Sequence, residues 1–336
     1  MTWERRWHPL REEWVTITSH RNTRPWSGAD SAVTGGGDES FSPDCYLCPG
    51  NTRVSGEVNP EYAGIYVFDN DHPSYSPVAP DAVNPPGDFY RAEPAVGICR
   101  VICYSPDHNG SLARMSAAET ADLVRVWASE TSDLAARDEV ASVLIFENKG
   151  EVVGVSNNHP HGQIYAPGFV IDGIRREAEV FRKSPSPLMD AIIRAEGDDG
   201  RRLVVSGKHT LAFVPYFARF PYEVYVVPRQ RRQYLHEMTE DELIDFARVL
   251  NEVLIRFDNL WHSDFPYMLL VHQAPCDGDY PDYHFHVQIH PPMRQPGLPK
   301  YLASVETGGG HFLNDGSPEQ KAAELRDVPA IHFSLQ

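Results

Sequence analysis

The most informative stretch of the chain is Ser156-Asn157-Asn158-His159-Pro160-His161-Gly162-Gln163-Ile164-Tyr165-Ala166. Side chains at every second position of a strand point to one face, so an extended conformation would place His159, His161 and Gln163 in a row. Pro160 has no amide hydrogen, which places this end of the strand at an edge or rim where a ligand can approach. Because the imidazole lone pair is available near pH 7, we predict that His161 is a nucleophile toward phosphorus.

The second half of the chain repeats the first half. When residues 143–150 are aligned with 268–275 and the alignment continues without a gap, the histidines and the glutamine of the first motif fall on His284, His286 and Gln288. Each copy reads as a strand, a helix, a strand and a histidine-containing strand. We therefore predict an α+β fold of antiparallel sheets with flanking helices, built from two units related by pseudo-twofold symmetry.

The composition restricts the classes of partner. The formal net charge is −17 and the isoelectric point is near 5.3, so nucleic acid and anionic membranes would repel the chain. The N-terminal residues do not continue into the apolar segment of a signal peptide, and no long apolar run occurs elsewhere. Five cysteines fit a reducing compartment better than a disulfide framework. We expect a cytoplasmic protein that does not span a membrane.

Cys45 and Cys48 have the spacing of a metal-binding or redox pair. A single Cys-x-x-Cys motif is compatible with redox chemistry, with metal binding and with two unliganded thiols, so further ligands must be sought downstream. His108 and His159 are the candidates. Together with the two cysteines they would form a tetrahedral Cys2His2 zinc site.

The first motif resembles the signature of galactose-1-phosphate uridylyltransferases, the transferase branch of the histidine triad superfamily. The resemblance extends from Trp14 to about Arg326. It implies a duplicated histidine-triad fold, with an N-terminal unit at 1–190 and a C-terminal unit at 191–336, a structural zinc ion and a homodimer. It also implies an enzyme that transfers UMP from UDP-glucose to a hexose 1-phosphate, normally galactose 1-phosphate, through a covalent uridylyl-histidine intermediate.

Further site residues follow only from positions that match the family. The resemblance makes His161 the nucleophile and places Gln163 and Ser156 beside it at the α-phosphate. It assigns the phosphate of the hexose to Lys300 and the sugar hydroxyls to Glu306. The remaining contacts, to the phosphates and the nucleoside, fall on Arg21, Arg24, Asn70, Asp71 and Asn148.

The second motif departs from the family at a position that affects metal binding. The resemblance implies a second site, for iron or zinc, at Glu177, His272 and His286. Some members of the family add a histidine where this chain has Gln288. The three remaining residues are compatible with two arrangements. They hold a metal whose coordination shell is completed by water or another histidine, or they form a hydrogen-bonded cluster without metal.

Three functions fit these observations. The first is a UDP-glucose–hexose-1-phosphate uridylyltransferase, and the second is a related enzyme for another base or acceptor, such as an ADP-sugar phosphorylase or adenylyltransferase. The third is a zinc-stabilised nucleotide-binding protein without chemistry, which would not need the pair His161 and Gln163. Val305 replaces the tyrosine usual in the family, so the acceptor sugar stays open.

Overall fold

The computed structural model describes residues 2–19, 40–82, 87, 89–155 and 157–336. Three of the predicted site residues, Arg21, Arg24 and Ser156, lie outside these ranges. The strands in the described residues are, in chain order, β1 (Trp3–His8), β2 (Glu13–Thr18), β3 (Tyr66–Asp69), β4 (Gly97–Cys103), β5 (Leu144–Lys149), β6 (His161–Pro167), β7 (Leu203–Ser206), β8 (Thr210–Phe213), β9 (Val224–Pro228), β10 (Tyr267–His272), β11 (His286–His290), β12 (Met293–Gln295), β13 (Leu298–Pro299) and β14 (Leu313–Asn314). The α-helices in the same ranges are α1 (Ala117–Ala135), α2 (Asp172–Lys183), α3 (Leu188–Asp199), α4 (Glu240–Trp261), α5 (Ser304–Thr307) and α6 (Pro318–Asp327).

One large antiparallel sheet passes through both halves of the chain. In the described ranges it has nine strands in the order β3-β4-β6-β5-β10-β11-β9-β8-β7, and all neighbouring strands are antiparallel. Two smaller sheets accompany it, β1-β2-β14 and β12-β13. The predicted α+β fold with antiparallel sheets is confirmed, whereas the division of the chain at residue 190 stays a prediction.

The large sheet is symmetric about the junction of β5 and β10. Moving outward, β5 is followed by β6 and β4, and β10 is followed by β11 and β9. Phe146 pairs with Leu270 across the junction. In the adjacent strands Phe146 pairs with Gln163, and Leu270 pairs with Gln288. A twofold axis through the Phe146–Leu270 pair therefore relates the two halves, which confirms the predicted pseudo-twofold symmetry.

One part of the ungapped sequence alignment is wrong. The alignment places Glu147 on His272, but the strand register places Asn148 there. Side chains that correspond under this symmetry must share a face of the sheet. His272 shares the face of its pairing partner His286, whereas Glu147 lies on the other face. Between equivalent positions, 12 residues separate Asn148 from His161 and 13 residues separate His272 from His286, and this extra residue produces the shift.

Helices α1 and α4 cover one face of the sheet and join the two halves in a single core. Each helix begins with a capping box, formed by Ser116 and Glu119 in α1 and by Thr239 and Glu242 in α4, as the sequence pattern predicts for α1. Their buried side chains share one core with residues of the strands from β4 to β11, such as Ile102, Ile145, Ile164, Val226, Leu269 and Ile289. Within the described ranges, no helix has an apolar stretch sufficient to span a bilayer.

The opposite face is covered in one half and accessible in the other. Helices α2 and α3 pack over the second half through Ile174, Phe181 and Met189, in one core with residues of β8 and β9. The polar side chains of the second motif, including His286, are therefore fully buried. His161 occupies the equivalent position in the first half and is only half-buried. The fold thus leaves one of the two histidine motifs accessible to a ligand.

Candidate active site

His161 begins β6 and lines a cleft in the accessible half of the sheet. Its Nδ1 lies 2.7 Å from the carbonyl oxygen of His159, and because a carbonyl only accepts, Nδ1 carries the hydrogen. The lone pair of the neutral ring is therefore on Nε2. Burial lowers the pKa of His161, although the hydrogen bond to His159 acts in the opposite direction. The contact with the backbone carbonyl leaves Nε2 available to attack an electrophile.

The cleft has a volume of about 410 Å³ and is lined mainly by polar residues from the connections around β5 and β6. A smaller cavity of about 190 Å³ adjoins His161 on the side of Gln163. Asn148 lines both cavities. Continuing the register of β5 and β6 beyond the Phe146–Gln163 pair places Asn148 opposite His161. The structure therefore brings together three of the predicted residues: His161, Gln163 and Asn148.

Gly162, between the two predicted catalytic side chains, must be a glycine for steric reasons. A Cβ atom added there would lie only 3.0 Å from Cζ of Tyr104, closer still to the hydroxyl oxygen, and 3.1 Å from the backbone oxygen of Phe146. Tyr104 is fully buried in the main core and cannot move aside without disturbing it. A larger residue at this position would push β6 away from Tyr104 and β5. Gly162 therefore keeps the neighbouring residues His161 and Gln163 in place.

Glu147 is a buried carboxyl group at the cleft that the sequence analysis did not assign. It is 5% exposed, and its Oε1 accepts a hydrogen bond from the Tyr267 hydroxyl at 3.1 Å. Burial raises its pKa to about 8, although Lys149 and the hydroxyls of Tyr267 and Tyr104 oppose the rise. The group is therefore mostly protonated at pH 7. The sequence feature that could have drawn attention to Glu147 is its position directly after the apolar run of residues 143–146.

We expect Glu147→Gln to flatten the pH dependence of stability. A carboxyl whose pKa rises from 4.5 to about 8 on folding stabilises the fold fully below pH 4.5, and this stabilisation is lost as the pH rises through 8. Within that window the loss is roughly 1.4 kcal/mol per pH unit. Glutamine keeps the neutral shape but does not titrate. Urea unfolding at several pH values should give a steeper decline for the wild type, and identical slopes would contradict this assignment.

Cys45, Cys48, His108 and His159 form a cluster whose ligand atoms all lie within 4.8 Å of one another. The Sγ atom of Cys48 is 3.6 Å from Nδ1 of His108 and 3.6 Å from Nδ1 of His159. An ion with tetrahedral Zn–S and Zn–N bonds of about 2.3 and 2.1 Å separates its sulfur and nitrogen ligands by about 3.6 Å. The structure thus confirms that the predicted residues form a cluster that can hold a metal ion.

Tyr62 sets the tautomer of His159 in this cluster. Its hydroxyl donates to the carbonyl oxygen of Leu47 at 2.6 Å and lies 3.0 Å from Nε2 of His159. Because its single hydrogen is used, the hydroxyl oxygen must accept the Nε2–H of His159, which leaves the histidine lone pair on Nδ1. That atom faces Cys48. Outer contacts of this kind are typical of metal-bound histidines, and no sequence pattern marked Tyr62.

Glu177, His272 and His286 form a second cluster, with ligand atoms also within 4.8 Å of one another. Glu177 comes from α2, and the two histidines occupy paired positions of β10 and β11. All three side chains are buried. The residues predicted for a second metal site are therefore brought together, with Gln288 in hydrogen-bond contact with Glu177 and His286.

Four further predicted substrate residues lie apart from His161 in this chain. Asn70 and Asp71 follow β3, at one edge of the large sheet. Lys300 and Glu306 pair with each other, with 3.2 Å between Nζ and Oε1. None of the four is among the described residues that line the two cavities at His161.

Comparison with known proteins agrees with this geometry. Residues 1–170 match the N-terminal domain, and residues 174–336 match the C-terminal domain, of the family described as galactose-1-phosphate uridyl transferase. The chain belongs to this family. The galactose-1-phosphate uridylyltransferase of Haemophilus influenzae is 35% identical over 98% of this chain and 95% of its own length. The family that the central motif resembles is thereby confirmed.

Solved structures extend the comparison to the fold. A uridylyltransferase structure gives a TM-score of 0.79 at 27% identity and covers 99% of this chain and 100% of that chain. An ADP-glucose phosphorylase from Arabidopsis thaliana, solved with ADP-glucose bound, gives a TM-score of 0.77 at 20% identity, with 98% of this chain and 99% of that chain covered. The second likeness shows the fold alone. The uridylyltransferase structure thus shares the fold of this chain over nearly the whole length of both chains.

Proposed function

We propose that this protein is a UDP-glucose–hexose-1-phosphate uridylyltransferase with galactose 1-phosphate as its acceptor. The observation that carries the proposal is the free Nε2 lone pair of His161, held in a polar cleft by the hydrogen bond from Nδ1 to the His159 carbonyl. Membership of the family supports the donor and the acceptor, since its curated relatives are named for galactose 1-phosphate and for uridylyl transfer.

The reaction has two displacements at one phosphorus atom. His161 Nε2 attacks the α-phosphorus of UDP-glucose, a P–N bond forms, and the P–O bond to glucose 1-phosphate breaks with its electron pair going to the leaving phosphate oxygen. A phosphate oxygen of galactose 1-phosphate then attacks the same phosphorus. The P–N bond breaks, its electron pair returns to Nε2, and UDP-galactose is released.

Neutral amides suit this chemistry because no proton has to move. The leaving group is a phosphate, which is stable as an anion and needs no general acid. Gln163 and Asn148 flank His161 in the cleft, and their N–H groups can donate to the non-bridging oxygens of the phosphoryl group as charge redistributes. Ser156, Arg21 and Arg24, which lie outside the described residues, are proposed as further phosphate contacts on the basis of the family resemblance.

We assign a structural zinc ion to Cys45, Cys48, His108 and His159, since the donor set and the sulfur–nitrogen distances suit that metal. When bound, the ion would cross-link these four side chains and would take no part in the chemistry at phosphorus. This chain's own contribution is positional: the ring of His159 is fixed in the cluster, and its backbone carbonyl holds the Nδ1–H of His161.

The acceptor contacts are proposed to come from a second subunit. Lys300 and Glu306 do not line the cleft of their own chain, which supports a homodimer in which they reach the hexose phosphate of the partner's site. Asn70 and Asp71 are proposed as nucleoside contacts. Five free cysteines in the described residues support a reducing compartment, and we place the enzyme in the cytosol.

A donor and acceptor panel tests this function. The enzyme is incubated with UDP-glucose, ADP-glucose or dTDP-glucose in separate reactions, each with galactose 1-phosphate or inorganic phosphate as the acceptor. The release of glucose 1-phosphate is measured in every reaction. We expect UDP-glucose to be preferred by kcat/KM. A preference for ADP-glucose, with inorganic phosphate as a better acceptor than galactose 1-phosphate, would instead identify an ADP-sugar phosphorylase.

A further inference from the structure

Gln288 lies at the centre of the buried cluster beneath α2 and α3. Its side-chain nitrogen is 3.1 Å from Oε1 of Glu177 and 2.9 Å from Nε2 of His286. Its side-chain oxygen is 3.2 Å from Nε2 of His290. A single amide therefore contacts Glu177 and His286, two of the three residues that the family resemblance assigns to a metal, and also contacts His290.

The hydrogen-bond pattern fixes the orientation of this amide. Nδ1 of His286 lies 2.9 Å from the carbonyl oxygen of His284 and must donate to it. Nε2 of the neutral His286 ring is consequently an acceptor, and the group beside it must be an N–H. The carboxylate of Glu177 makes the same demand. The NH2 group of Gln288 has two hydrogens, one for each acceptor, and its oxygen accepts the Nε2–H of His290.

The carboxylate of Glu177 is satisfied by protein donors alone. Its Oε1 accepts from Gln288, and its Oε2 accepts from Nδ1 of His272 at 2.8 Å and from the hydroxyl of Tyr283 at 3.0 Å. A buried charge with three donors needs no cation to be stable. Among the three residues of the cluster, all of which the structure describes, the buried polar atom left without a hydrogen-bond partner is Nε2 of His272, and one nitrogen alone does not hold an ion.

We propose that the second cluster binds no metal and is a structural hydrogen-bonded network. In this network the NH2 group of Gln288 takes the place of the ion. The amide nitrogen contacts both Glu177 and His286, which are two of the three residues that would hold an ion. The lone pair of an amide nitrogen is delocalised into the carbonyl group, so the NH2 group donates hydrogen bonds but does not bind a metal. The second histidine motif thus keeps α2 attached to β10 and β11 by hydrogen bonds, while the first motif, joined to the cysteines, keeps a metal.

The two clusters differ in the way this proposal requires. In the first cluster, the hydrogen bond from His159 to Tyr62 leaves the Nδ1 lone pair directed at Cys48. The N–H donors of Leu47 and Asn157 contact Sγ of Cys45 at 3.4 Å, so they leave this histidine lone pair free. In the second cluster, the lone pairs of Glu177 and His286 are already occupied by N–H and O–H donors. The same type of residues therefore forms a metal site in one half and a hydrogen-bonded network in the other.

Metal stoichiometry tests the proposal without reference to activity. Purified wild type, Gln288→His and the control Gln295→His are loaded anaerobically with excess Zn²⁺ or Fe²⁺, passed over a weak chelating resin and measured by elemental mass spectrometry. We expect one equivalent per chain in the wild type and in the control. Gln288→His replaces the amide by an imidazole with a lone pair, so we expect it to hold a second equivalent.

Two results would overturn the proposal. One is a wild type that retains two equivalents, with a return to one in Glu177→Gln. The other is a folded Gln288→His protein that retains only one, because Gln288 would then not be what excludes the ion. If Gln288→His does not fold, Gln288→Glu serves instead, since it keeps the side-chain length, removes both N–H donors and supplies a ligand oxygen. The failure of the proposed transferase activity would leave these metal counts unaffected.

Discussion

Replacement of His161 by asparagine is expected to abolish uridylyl transfer while the fold stays intact. Asparagine keeps a polar side chain at the start of β6 but has no nitrogen lone pair that can attack phosphorus. Because the proposed reaction requires formation of a P–N bond to His161, kcat should fall by at least about 10⁴-fold. The rate of UDP-galactose formation from UDP-glucose and galactose 1-phosphate measures the loss, and circular dichroism together with the melting temperature checks the fold.

The matched control for this change is His262→Asn. His262 is the C-cap residue of α4, directly after Trp261, and has a positive φ of 49°. Asparagine tolerates this conformation well. His262 is not among the residues that line the cleft. This variant should keep wild-type kcat within a factor of about two to three. If the His161→Asn enzyme retained more than about a tenth of wild-type activity, His161 would lose the role of nucleophile.

Loss of metal from the cluster of Cys45, Cys48, His108 and His159 is expected to lower both the stability and the catalytic rate. In Cys45→Ser, one of the four ligands is replaced by a poorer one, so the metal content should fall well below one equivalent. The free energy of unfolding should drop by at least about 3 kcal/mol, since metal binding contributes directly to folding. Because His159 belongs to the cluster and also holds Nδ1 of His161, kcat should fall by about tenfold or more.

Cys276→Ser is the control for the metal prediction, because its thiol lies outside both clusters. It should retain metal content, stability and turnover close to those of the wild type. Exhaustive chelation of the wild type should reproduce the Cys45→Ser phenotype, and added Zn²⁺ should reverse it. Full activity of a verified metal-free enzyme would show that the cluster does not position His161.

The parts of the fold that follow local rules could be predicted from the sequence. The duplication was visible because both histidine motifs keep the same spacing. The start of α1 was visible because Ser116 and Glu119 have the spacing of a capping box. The candidate metal ligands were found because Cys45 and Cys48 are close in sequence, and the family resemblance supported His108 and His159 as their partners.

The errors and omissions have a common physical origin, which is packing between distant parts of the chain. The one-residue shift between β5 and β10 is set by which face each side chain occupies, and an ungapped alignment does not contain that information. The cover that α2 and α3 place over the second motif is likewise a tertiary feature. Tyr62 and Glu147 act through contacts with residues far away in the sequence, His159 and Tyr267. No local pattern marks Tyr62, and the position of Glu147 after an apolar run does not by itself reveal its buried contact.

Packing within the chain does not explain why Lys300 and Glu306 are absent from the lining of the cleft. The proposed homodimer explains it. Their positions were inferred from the family, in which they contact the hexose phosphate across a subunit interface. Within one chain they form an ion pair with each other, and Nζ of Lys300 also donates to the carbonyl oxygen of Leu313 at 2.6 Å. Lys300 and Glu306 do not line the cavities at His161 in their own chain, which agrees with the proposed active site shared between two subunits.

The most direct test of this account is intact-protein mass spectrometry after incubation with UDP-glucose alone. We predict that the mass rises by one uridylyl group per chain, that an equal amount of glucose 1-phosphate is released, and that added galactose 1-phosphate removes the adduct and yields UDP-galactose. His161→Asn should show no adduct. An unmodified wild-type enzyme that nevertheless forms UDP-galactose at its full rate, with no adduct trapped by rapid quenching, would contradict a covalent intermediate on His161.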